Sequence, residues 1–326
     1  MKNPFVTNGY VSPEYFCDRE KETAKIVSLL TNENNIALIS PRRLGKTDLL
    51  RHCFGQPEIK EHYHTFIIDI YATSSVRDFV NVFGKAVLDE LRPKGKSVWG
   101  TFLNVLASLR SEITFDMNGQ PTWGIGLGAI TNPSATLDEI FSYLNNAGKP
   151  CLIAIDEFQQ ITKYADDPNI EAALRTHIQR CSNAHFVFSG SHRHLMGAMF
   201  TSPARPFYQS VTLINLPPIS VDKYAEFCLR HFERASKHLD TLVVTELYER
   251  FNGITSYMQK VMNILFSMTG TGEICIPSMI DTAINDLLDF SADTYDALLY
   301  QMPEKQRIVF MAIAAEGKAK AISSGD

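Results

Sequence analysis

Residues 36–50 read IALISPRRLGKTDLL, and their reading decides the fold. A short apolar run, Ile36 to Ile39, leads into a polar turn, and TDLLRHCF (47–54) then carries a helical period. Gly45, Lys46 and Thr47 form the end of a GxxxxGK[ST] phosphate-binding loop, with Ser40 standing where the first glycine is due. Between a strand and a helix, such a loop aims backbone N–H groups and the positive end of the helix at phosphate. Lys46 is placed to reach the β- and γ-phosphates, and Thr47 to offer its hydroxyl to Mg²⁺. The candidate nucleotide-binding residues are Ser40, Arg43, Leu44, Gly45, Lys46, Thr47 and Asp48. Ser40 is expected to be tolerated: Pro41 already fixes one φ, and a small side chain fits there if its own φ is negative. The competing reading is a chance GKT in an ordinary turn, so the rest of the chain has to decide.

Four more apolar runs accompany the first: FIIDIY (66–71), CLIAID (151–156), HFVFSG (185–190) and VTLINL (211–216). Each is short and bounded by turn residues, as strands buried on both faces of a parallel sheet are. Amphipathic stretches such as VRDFVNVFGKAVLDEL and IEAALRTHIQRC lie between them. Alternation of this kind predicts an α/β domain, here residues 1–218. One insertion interrupts it. Asn118-Gly119 sits between two strand-like runs within residues 111–130, which predicts a β-hairpin, since both residues tolerate positive φ. Gly124, Gly126 and Gly128 miss the GxGxxG spacing and lack a strand-to-helix context. After LPPIS the periodicity becomes helical, predicting a helical domain over 219–300 and a further module starting at 301–326.

Charge and cysteine usage narrow the classes. The formal net charge is -5, which argues against a protein-wide basic surface for nucleic acid. From 219 onward there are 15 acidic and 10 basic residues. The six cysteines are scattered singly with no CxxC, a pattern expected of reduced, packed thiols in a cytoplasmic protein. No segment approaches the roughly 20 apolar residues of a membrane span, so no membrane partner is expected.

The strongest support for the loop comes 110 positions after Lys46, where CLIAIDEF ends in Asp156-Glu157. A carboxylate at the tip of a neighbouring strand can hold a Mg²⁺ shell, and an adjacent glutamate can polarise the attacking water. Thr47 and Asp156 are therefore the candidate metal ligands, and Glu157 the candidate catalytic base. HFVFSGSHRH ends in Ser189-Gly190-Ser191, and polar groups at such a strand end lie at the ligand crevice of an α/β sheet. Ser189 or Ser191 is a candidate sensor of the γ-phosphate or the water; a plain turn is the alternative for either serine. Asp69 either serves the site or caps a helix. His62, His64, His192 and His194 have no metal-ligand spacing.

Taken together, NPF (3–5), FCDREKE (16–22), SPRRLGKTDLL, IDEFQQI and FSGSHRHLM resemble the archaeal-type ATPase family, within the wider STAND and AAA+-like P-loop NTPases. The resemblance spans about residues 3 to 320. It implies a P-loop NTPase sheet of order 5-1-4-3-2, a helical lid and a C-terminal winged helix. It also implies that residues 10 to 19, Phe16 among them, contact adenine. Where family members carry a Tyr-Gly-Arg after the sensor strand, this chain has PFYQS (206–210), leaving Arg193 and Arg205 as candidate arginines.

The resulting expectation is a Mg-ATP-dependent molecular switch. It hydrolyses ATP, slowly without a partner, and couples the nucleotide state to lid movement and to a protein or DNA partner. A non-hydrolysing ATP-binding scaffold is the alternative. MPEKQRIVFMAIAAEGKAKAISSGD (302–326) reads as the first helix of a winged helix-turn-helix that stops before its second helix. The module is thus expected to be truncated, and Lys318 and Lys320 too few for strong DNA affinity. The oligomeric state is left open.

Overall fold

The computed structural model describes residues 3–91, 113–115, 121–123 and 133–317. In chain order the α/β part comprises α1 (Glu20–Thr31), β1 (Ile36–Ile39), α2 (Lys46–Phe54), α3 (Pro57–His62), β2 (His64–Asp69) and α4 (Val76–Glu90). The hairpin strands β3 (Ile113–Phe115) and β4 (Pro121–Trp123) follow, then α5 (Pro133–Asn145) and β5 (Cys151–Asp156). A 3-10 segment (Phe158–Lys163) leads to α6 (Ile170–Arg180), β6 (Ala184–Gly190), α7 (Arg193–Thr201), β7 (Thr212–Asn215) and α8 (Val221–Arg234).

Five strands form one parallel sheet in the order β2-β5-β6-β1-β7. Counting only these strands, that is 5-1-4-3-2, the order implied by the family resemblance. Strand β1 lies inside the sheet between β6 and the edge strand β7, with Ile36 opposite Val187 on one side and Thr212 on the other. Successive residues of each strand alternate between two apolar layers. Ala37, Ile39, Ile153, Ile155, Phe186 and Phe188 face Phe79, Phe83, Leu137 and Phe158. Ile36, Leu38, Leu152, Ala154 and Val187 face Ile26, Leu30, Leu49 and Leu50. Burial on both faces explains the unbroken apolar runs in the sequence. The inner strands β5 and β6 are buried throughout, whereas β2 at the edge is buried only in part.

The expected strand at 66–71 lies two residues earlier, at His64–Asp69. Its start is fixed by the His64 N–H bonding to Pro150 O at 2.9 Å, and its end by Asp69 turning to accept from Tyr71 N–H at 2.8 Å. The β3–β4 pairing is antiparallel, as the Asn-Gly signal predicts; the turn itself and Gly124, Gly126 and Gly128 lie outside the described residues.

The chain divides into two compact units. One is Asn8–Phe227 together with Gly253–Ser256; the other gathers the residues through Thr7, Cys228–Asn252 and those from Tyr257 onward. The second unit contains the later half of α8 from Cys228, α9 (Thr241–Phe251), most of α10 (Thr255–Met268), α11 (Ile280–Asp289), α12 (Ala292–Gln301) and α13 (Glu304–Glu316). It also holds a two-residue parallel ladder, β8 (His238–Leu239) with β9 (Ile274–Cys275), which helical periodicity does not reveal. The first residues of the chain belong here too. Phe5 is fully buried against Phe232 and Phe266, and Asn263 Nδ2 donates to Phe5 O at 2.7 Å. In α13 no described side chain is buried. Lys318, Lys320 and the rest of the C-terminal segment lie outside the described residues.

Candidate nucleotide site

Sheet register brings the candidate residues to one edge. Ile39 pairs with Gly190, and Asp69 with Asp156, so the ends of β1, β5 and β6 align and the segments that follow them meet. Ser40 N–H bonds to Gly190 O at 3.3 Å, anchoring the loop on β6.

The loop departs from the sheet through two residues with positive φ, Arg43 at 69° and Gly45 at 82°. Arg43 is held there in part by its carbonyl, which accepts the Ser256 N–H at 3.2 Å. Gly45 caps α2, so the unpaired N–H groups of that helix's first turn point back across the loop. Ser40 is not among the residues of positive φ, so its side chain meets no backbone strain. It is fully buried, and its hydroxyl donates to Pro41 O at 3.0 Å.

Lys46 bends over this loop. Its Nζ donates to Ser40 O at 3.1 Å and to Pro41 O at 3.4 Å. Burial pushes the ammonium pKa below its ordinary value, with Arg42 adding to the effect and Asp156 and Glu157 opposing it. A desolvated cation of this kind interacts strongly with a phosphate, because little water screens it.

The loop is tied to β5 through Thr47, whose Oγ1 donates to Asp156 Oδ2 at 2.5 Å. Asp156 is 7% exposed and its other oxygen accepts the Glu157 N–H at 3.0 Å. A hydroxyl and a carboxylate converging at a buried strand end form an oxygen-only donor pair, which suits a hard cation such as Mg²⁺. These residues fit that ion.

Glu157 has φ 55°, a left-handed conformation that breaks the strand and turns the chain into the 3-10 segment. Its Oε2 accepts the Ser191 hydroxyl at 2.9 Å and also the side-chain amide of Gln159. Ser191 accepts in turn from Arg42 Nε at 3.4 Å. Thr47, Asp156, Glu157 and Ser191 thus form a continuous polar row across three strand ends.

Other candidates sit apart from that row. Arg193 is exposed at the first position of α7, and Ser189 is buried with its hydroxyl unpartnered among the described residues. Arg205 is paired with Glu171. Burial raises the Glu171 pKa, and the Arg205 guanidinium opposes that rise. Asp69 caps a turn after β2.

Phe16 lies against α2, where its ring stacks on His52 at 4.4 Å. The Tyr10 hydroxyl meets His52 Nδ1 at 3.0 Å, and burial pushes the imidazole pKa down, favouring the neutral ring. Burial likewise raises the Asp48 pKa, opposed by Arg51 and by the Tyr10 backbone. Sequence reading reached Phe16 only through the family resemblance and missed His52 altogether. The available signal was its position six residues after Lys46, on the α2 face that meets residues 10–19.

Among the described residues, no helix is long and apolar enough to cross a membrane. No curated protein matched the chain. Several solved structures share its fold. One is a Walker-type ATPase of Pyrococcus abyssi, with a TM-score of 0.62 and 17% identity over 91% of this chain and 79% of that one. The ORC1 protein of Aeropyrum pernix, solved in complex with DNA, gives a TM-score of 0.59 at 12% identity, covering 98% of this chain and 77% of that one. The ORC2 protein of the same organism, solved with ADPNP and ADP, gives 0.57 at 14% identity, covering 87% and 71%. At these identities the likeness establishes the fold. The sequence itself matches the family described as "ATPase domain predominantly from Archaea" over residues 16–261. With its loop, its Asp-Glu strand end and its sheet order, this chain belongs to that ATPase family of P-loop NTPases.

Proposed function

We propose that the protein is a Mg-ATP hydrolase acting as a nucleotide-dependent switch. The observation that carries this reading is the polar row from Thr47 through Asp156 and Glu157 to Ser191, set beside a desolvated Lys46. The backbone N–H groups of residues 43 to 47 and the Lys46 ammonium hold the phosphates. Thr47 and Asp156 hold Mg²⁺, which when bound neutralises charge on the phosphate oxygens. Glu157 orients a water and takes its proton. Ser191 and Arg42 extend the polar row on the β6 side, and exposed Arg193 remains available to a phosphate or a partner.

Phe16, stacked on His52 with Tyr10 edge-on to both rings, offers an aromatic contact for the base. The nucleotide state is passed from this site to the helical region and on to a protein or DNA partner. The Aeropyrum ORC1 relative was solved with DNA, which makes duplex DNA the first partner to try. The scaffold alternative is less well supported, because a chain that only holds ATP has no need of a carboxylate braced as Glu157 is.

Calorimetry and turnover assays on two variants test this reading. Lys46→Ala should weaken ATP binding by at least about 2 kcal/mol, as loss of a charged hydrogen-bond partner does. Glu157→Gln should keep the affinity and lose about 10²–10⁴ in kcat. Unchanged affinity in the first variant, or unchanged kcat in the second, would remove that residue from the mechanism.

A further inference from the structure

Gln159 follows Glu157 by two residues and is 3% exposed. Its Nε2 donates to Glu157 Oε2, the same oxygen that accepts the Ser191 hydroxyl at 2.9 Å. Its Oε1 is buried with no hydrogen-bond partner among the described residues. Burying an unpaired carbonyl is unfavourable, and an apolar side chain of similar volume avoids that cost. The amide therefore brings no net benefit to the core; its benefit lies at the Glu157 end.

Gly190 supplies the space. A Cβ built on Gly190 stands 2.3 Å from Gln159 Oε1 and 2.6 Å from Met196 Cγ. Any side chain at this strand end forces Gln159 off its position. The last residue of β6 and the turn after β5 are thus fitted to each other around one amide.

We propose that Gln159 is a positioning residue for the Glu157 carboxylate, and that Gly190 is the gap which lets it reach. The inference rests on the reading of Glu157 as the group that orients water. Two donors arrive at Oε2 from different segments, one from the chain just past Glu157 and one from the end of β6. Held at Oε2 by donors from two segments, the carboxylate is restrained, and its other oxygen, Oε1, is left to accept from a water. Catalytic geometry is sensitive to such bracing, since displacement by about 1 Å can cost on the order of a hundredfold in rate.

The test measures kcat by turnover, ATP affinity by calorimetry and a unfolding midpoint for Gln159→Leu and Gly190→Ala. Gln159→Leu should lower kcat by about tenfold to a hundredfold with ATP affinity within about twofold of wild type. Gly190→Ala should show the same split; if it fails to fold, Gln159→Leu alone decides. Gln159→Leu added to Glu157→Gln should leave the residual single-turnover rate unchanged, because the group being positioned is already disabled. A structural role would lower that residual rate further, and that result overturns the proposal. Wild-type or raised kcat in Gln159→Leu overturns it as well, as does a loss that falls wholly on ATP affinity. A wild-type chain that binds ATP without turning it over overturns the parent reading of Glu157, and the inference with it.

Discussion

Gly45 and Ser40 show how differently two positions of one loop constrain the side chain. Gly45 has φ 82° and open space where a Cβ would stand, so a methyl group there meets a backbone penalty and no clash. Gly45→Ala should therefore cost about 1–2 kcal/mol of stability, read from urea unfolding. A larger loss would mean the loop is held by contacts rather than by φ. Ser40 has no positive φ to relieve, so Ser40→Gly should leave ATP affinity nearly unchanged by calorimetry. Lys46, Thr47, Asp156 and Glu157 were legible because fixed spacing and strand-end placement expose them to a reader of the sequence. Gln159 was not, although IDEFQQI was in view. What singles it out is the left-handed φ of Glu157, which folds the next residues back toward the carboxylate, and no motif encodes that.

At the level of elements, α4 shows how its ends are set. Ser75 caps it, with Oγ accepting the Asp78 N–H at 3.1 Å, while Val76, Phe79, Val80, Phe83 and Val87 recur on the buried face. Ser75→Ala should cost about 1 kcal/mol in a urea titration. Asp78 returns the contact. Its carboxylate accepts from the Ser74 N–H and hydroxyl at 2.9 and 2.8 Å, and these bonds, with smaller ones from Ser75, hold its pKa below the ordinary value against a rise from burial. A depressed carboxylate pKa stabilises the fold above its unfolded pKa, and that contribution is lost as pH falls through the folded one. The stability gap between wild type and Asp78→Asn should thus be widest near neutrality and close in strong acid. A gap independent of pH would assign the effect to packing. Strands and helices were legible because their apolar periods are long and their ends carry Pro, Gly or Ser. The edges of β2 slipped by two residues because its start is set by a hydrogen bond to Pro150, far away in sequence, and its end by the turn in which Asp69 accepts from Tyr71. The β8–β9 ladder, two residues a side, is too short for any period to show.

Across the whole molecule, the six cysteines report on integrity. None is in a disulfide, and all are buried. Burial pushes the Cys53 and Cys151 thiols up to about 12 and Cys181 to about 11. The thiolate is the reactive form, so native chains should label slowly with a maleimide at neutral pH. All six should then react together once the fold opens, as counted by mass spectrometry. A fast-labelling site in the native chain would mark a locally open region. The family and the α/β class were legible from scattered motifs. That residues up to Thr7 join the helical unit was not, because nothing in MKNPFVT announces that Phe5 is to be enclosed by Phe232 and Phe266.

The place of β1 between two strands made much later has a consequence for how the chain is born. Its neighbours, β6 and β7, come from residues 184–190 and 212–215, long after β1 at Ile36–Ile39 has left the ribosome. At about 5–20 residues per second, on the order of tens of seconds separate the emergence of β1 from that of its flanking strands. Throughout that wait the IALI segment has two open edges and no bed for its loop, so ATP cannot serve as a nucleus around which the nascent chain condenses. Parallel pairing over such long separations is also slow once it becomes possible. The Asp156, Glu157 and Ser191 side of the site is therefore made only once β5 and β6 have emerged.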